Sequence, residues 1–102
     1  MAGVEEIRSW IAVATEKAHA GVAAIAQASL QLDEARGALA AASTAASAAA
    51  AGSGPAAAAA SAGLADVERS AGLLGEAVRA LADAQHVVQA GITSVEGYAA
   101  RL

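Results

Sequence analysis

Residues 67–102, VERSAGLLGEAVRALADAQHVVQAGITSVEGYAARL, decide the fold. Val67, Ala71, Leu74, Val78, Leu81, Gln85, Val88, Ile92, Val95, Ala99 and Leu102 recur there at alternating steps of three and four. A helix turns once every ~3.6 residues, so this spacing keeps successive side chains on one stripe. The first half of the chain repeats the pattern with Val4, Ile7, Ile11, Ala14, Ala18, Gly21, Ile25, Ala28, Leu32, Ala35 and Leu39. The expectation is two long helices, each with one apolar seam.

Gly52-Ser53-Gly54-Pro55 separates the two runs. Glycine just past a helix supplies a left-handed cap, and proline suits the first turn of the next helix. The spacing predicts a first helix over about 3–50, a turn over about 51–55 and a second helix over about 56–101. The flanking tracts Ala41–Ala51 and Ala56–Ala62 hold almost nothing large, so a mobile tip is expected. The fold class is all-α, a long antiparallel, coiled-coil-like hairpin forming one domain over 1–102.

The register can be read from the numbering. Setting Val4 against Leu102 pairs Ile11 with Val95, Ala14 with Ile92, Ala18 with Val88, Ile25 with Leu81, Leu32 with Leu74 and Leu39 with Val67. One flank then sets Arg8 near Glu96 and Arg36 near Glu68, two ion pairs that would fix the alignment. Gly21 falls opposite Gln85, which reads as a polar layer in the seam.

The other flank is apolar and small. It carries Trp10 level with Tyr98, Lys17 with Gly91, Ala24 with Ala84 and Gln31 with Ala77, with Val13, Leu73 and Val87 alongside. A two-helix hairpin cannot cover this strip and its own seam together. The expected use is docking, either to a second copy as a four-helix bundle or to another helical hairpin.

Composition bounds the rest. The chain is 57% hydrophobic but only 2% aromatic, so alanine supplies much of the apolar content. Alanine removes little area from water, and burial is worth about 25 cal/mol per Å². A net charge of −4 and six scattered basic residues exclude a basic nucleic-acid face. There is no cysteine, and hence no disulfide or thiolate metal site. The uncharged stretch 37–65 is built of Ala, Ser, Thr and Gly around Pro55, so no stable membrane insertion is expected. The acidic start, Val4-Glu5-Glu6, differs from a basic signal-peptide opening. The expected location is cytoplasmic, with export by a signal-peptide-independent route as the alternative.

Catalytic constellations are not expected. His19 and His86 stand at similar heights but at outward positions, and no carboxylate converges on them. Glu5/Glu6 and Asp33/Glu34 are adjacent pairs, splayed around the helix. The serines have no neighbouring base, and no phosphate-binding loop is present. The chain is read as a non-enzyme without cofactor or metal.

Three segments carry a resemblance: Val4-Glu5-Glu6-Ile7-Arg8, Ala14-Thr15-Glu16-Lys17-Ala18 and Val95-Glu96-Gly97-Tyr98-Ala99-Ala100-Arg101-Leu102. They resemble a family of small actinobacterial helical proteins of unknown function. Similar segments form the N-terminal helical region of polymorphic, deaminase-type toxins. The size and hairpin also resemble the WXG and PE hairpins of type VII secretion, which pair as four-helix bundles. Trp10-Ile11-Ala12 departs from their Trp-x-Gly, no early Pro-Glu occurs, and Leu102 stands where the Tyr-x-x-x-acid export motif needs an acid. The resemblance implies a non-catalytic interaction or secretion-targeting module tied to a secreted toxin system. The alternative is a self-assembling structural helical protein.

Overall fold

Alternating steps of three and four produce helix in both halves of the chain. The computed structural model describes residues 3–102. Helix α1 spans Val4–Ala50 and helix α2 spans Pro55–Ala100, joined as an all-α hairpin.

Local chemistry explains the helix ends. The Ile7 N–H donates to the Gly3 carbonyl at 3.1 Å and opens α1. Glu5 and Glu6 occupy its first turn, where negative charge complements the helix dipole. Ala51 N–H donates to Ser47 O, and Gly52 N–H donates to Ala49 O, each at 3.2 Å. Gly54 then takes φ +92°, a conformation that a Cβ disfavours, and the chain reverses. Pro55 starts α2 where its missing N–H costs nothing, and Ala58 N–H closes the first turn on Gly54 O at 3.1 Å. The alanine tracts stay helical up to this turn, as alanine's intrinsic preference favours.

The helices pack as two units. One unit joins the segment ending at Ala28 to Leu81–Leu102, and the other is Ser29–Ala80. In the first, Ile11, Thr15, Ala18, Val22 and Ile25 turn inward toward Leu81, Gln85, Val88, Ile92, Val95 and Ala99. In the second, Leu32, Ala35, Leu39, Ser43, Ala46 and Ala50 turn inward toward Ala57, Ala60, Leu64, Val67, Ala71, Leu74 and Val78. Nearly all of these are half-buried. Only Ile92, 6% exposed, and Ala57, 8% exposed, are fully inside among the described residues.

The α2 stripe coincides with the expected one at every step. The α1 stripe differs in its first half, where Thr15 and Val22 take the inward places expected for Ala14 and Gly21. Val4, Ile7, Ala14 and Gly21 are exposed. The strict repeat Ile11, Thr15, Ala18, Val22, Ile25 places the larger Val22 inside and leaves Gly21 out.

The consequence is a polar atom in the seam: Thr15 Oγ1 is buried with no hydrogen-bond partner. Such a hydroxyl costs about 1–3 kcal/mol, and an apolar group of the same shape removes that cost. Thr15→Val is therefore expected to raise the thermal midpoint by several degrees; a lowered midpoint would mean that the hydroxyl is satisfied. Gly54→Ala is expected to lower it, since a left-handed non-glycine residue costs about 1–2 kcal/mol.

Candidate docking face

With the seam placed, each unit has two flanks. Label the heptad positions a to g, with a and d inward. The e positions of both helices then form one flank and the g positions the other, with c beside g.

The first flank mixes charged and apolar groups. In the unit that holds both helix ends away from the turn, Arg8, Ile11, Ala12, Thr15, Glu16, His19, Glu96 and Ala99 line an open groove of about 650 Å³. Arg8 and Glu96 border this groove without forming an ion pair. In the other unit Arg36 pairs with Asp33 on its own helix at 3.5 Å, not with Glu68. The only other ion pair among the described residues is Arg69–Asp66 at 3.4 Å, again within one helix.

The expected cross-helix pairs fail for a geometric reason. Long helical side chains lean toward the N-terminus of their own helix. In antiparallel helices, residues at one level therefore lean apart. Arg36 reaches back along α1 to Asp33 and lies over Gly75, where an added Cβ would stand 3.8 Å from the guanidinium.

The expected Gly21–Gln85 layer is also corrected. Gln85 is half-buried in the seam, but Gly21 is exposed and its Cβ would meet nothing within 4 Å. Val22 fills the place instead. Gly21→Ala is therefore expected to stabilise the hairpin by up to about 1 kcal/mol, read as a raised midpoint in thermal unfolding. A fall would restore Gly21 to the seam.

The second flank holds the exposed apolar groups. In the unit formed around Leu81–Leu102, Ala14, Thr15 and Ala18 share a cavity of about 220 Å³ with Val88, Gly91, Ile92 and Val95. Beside it stand Trp10, 68% exposed, Val87, 71% exposed, and also Val13 and Tyr98. Lys17, Ala24, Ala84 and Gly91 complete the strip, all exposed. Ile7, assigned to the seam from the sequence, is 41% exposed and joins this strip. In the other unit Leu73 is exposed and Ala77 half-buried at the matching heptad positions of α2.

Of the eight large apolar side chains exposed among the described residues, Ile7, Trp10, Val87 and Tyr98 fall at g or c positions in the unit formed around Leu81–Leu102, and Leu73 takes a c position in the other unit. Val4 lies at the start of α1, Val13 at an f position on its outer face, and Leu30 in the other unit, off the g and c positions. The signal for Ile7 was available in the sequence, because it lies three residues before Trp10 on the same face.

His19 borders the open groove, whereas His86 sits with Ala82, Gln85 and Gln89 on α2. No group of three metal-ligating side chains converges among the described residues. No helix among them is long and apolar enough to cross a membrane.

Comparison with protein-family models, curated proteins and solved structures finds no match for this chain.

Proposed function

We propose that this chain is a non-catalytic helical-hairpin docking module whose binding surface is the apolar flank. The observation that carries the reading is the one-sided placement of its exposed large side chains, led by Trp10 and Val87. Contiguous exposed apolar surface rimmed by polar residues marks interaction sites. Tryptophan and tyrosine are enriched where binding energy concentrates, and both of this chain's aromatic residues stand on that flank. Small residues around them, Ala14, Ala84 and Gly91, let another helix approach closely. The place of such a module beside secreted toxins, as a targeting or partner domain, is supported by the resemblance of residues 4–8, 14–18 and 95–102 alone.

Site-specific photo-crosslinking in cells tests the reading without presuming the occupant. A benzophenone side chain at position 87 is expected to give one discrete adduct, and the same group at position 30 none. Equal labelling from both positions, or no adduct from position 87, would contradict a docking face.

A further inference from the structure

We propose that the groove on the first flank binds an organic cation with an apolar body, of the class of alkyl and arylalkyl ammonium ions. The groove lies on the flank opposite the docking face, so the two sites stand or fall separately. Three observations within the unit around Leu81–Leu102 carry the proposal.

The first is the floor. Ile11, Ala12, Thr15 and Ala99 form it. The Thr15 hydroxyl oxygen is buried away from the surface, so this residue shows carbon to the groove. The volume of about 650 Å³ falls within the roughly 300–1,000 Å³ of small-molecule sites. An apolar lining holds the body of such a ligand, and a few polar groups at its edge orient it.

The second is shape. From Arg8 to His19 the groove follows about 16 Å of helix, at 1.5 Å per residue. A volume of about 650 Å³ over that length leaves a section of about 40 Å². A helix is about 10–12 Å across with its side chains and cannot enter it. An alkyl chain or a single ring can.

The third is charge. Glu16 stands on α1 and Glu96 on α2, one on each wall. Both are exposed, and neither joins an ion pair among the described residues. Arg8 is the one arginine or lysine at the groove. With His19 neutral, two carboxylates face one guanidinium, and the rim favours a cation. An ammonium group between Glu16 and Glu96 meets two unpaired carboxylates while its body lies on Ile11, Ala12 and Ala99. A carboxylate ligand would have Arg8 alone and would face both glutamates.

Titration of the isotope-labelled full chain with n-hexylammonium, followed by amide NMR shifts, tests the proposal. Saturable shifts are expected at Ile11, Thr15 and Ala99. Each buried methylene raises affinity about fourfold, so hexylammonium is expected to bind up to about fifteenfold tighter than butylammonium. Hexanoate, of like size and opposite charge, is expected to bind more weakly. Glu16→Gln combined with Glu96→Gln, both at exposed positions, is expected to weaken hexylammonium by about two- to fivefold for each carboxylate. The same variant leaves 1-hexanol binding unchanged. Equal binding of hexanoate, a double variant that binds hexylammonium as well as the wild type, shifts centred on Trp10 and Val87, or no saturable shift would each overturn the proposal. A helical peptide faced with leucine and lysine that moves Ile11, Thr15 and Ala99 at lower concentration than hexylammonium would overturn the small ligand in favour of a helical partner. The position-87 adduct tests the docking flank independently of these outcomes.

Discussion

Alanine in the seam sets how much this hairpin can bury. Two helices of 47 and 46 residues face each other along a stripe whose members are nearly all half-buried. Burial is worth about 25 cal/mol per Å², and an alanine methyl removes little area. Around the turn, Ala46, Ala50, Ala57 and Ala60 provide the inward surface with no larger apolar group among them. Intrinsic helix preference keeps such a chain helical. It does not by itself hold two helices together.

The rest follows from that shortage. A thin seam leaves both flanks open, and the chain treats them differently. In the unit around Leu81–Leu102, one flank carries Arg8, Glu16, His19 and Glu96 around an open groove whose floor is largely apolar. In the other unit, the ion pairs close within single helices, where three-residue spacing brings Asp33 to Arg36 and Asp66 to Arg69. Exposed pairs of this kind contribute only about 0–1 kcal/mol. The other flank keeps its large apolar groups in water, and the missing burial is available there.

The hairpin was legible in the sequence because a seam is a periodic feature. The α2 stripe was readable residue by residue, since Val67, Leu74, Leu81, Val88 and Val95 mark every second step with a large group. The first half of α1 admits two phases, because Ala14 beside Thr15 and Gly21 beside Val22 give little contrast in size. The strict repeat through Thr15 and Val22 resolves that ambiguity only when side-chain volume is weighed. The cross-helix ion pairs were not legible because equal height is not contact: Arg36 finds Asp33 on its own helix, three residues back. The apolar flank was legible because Trp10, Val87 and Tyr98 have no place in either stripe.

The most direct measurement of whether the seam suffices is thermal unfolding of the purified chain at low concentration, followed by circular dichroism. The account predicts a broad transition with a low midpoint, because an alanine seam removes little area from water. A sharp cooperative transition with a high midpoint would contradict the account, because the alanine seam would then hold the two helices unaided.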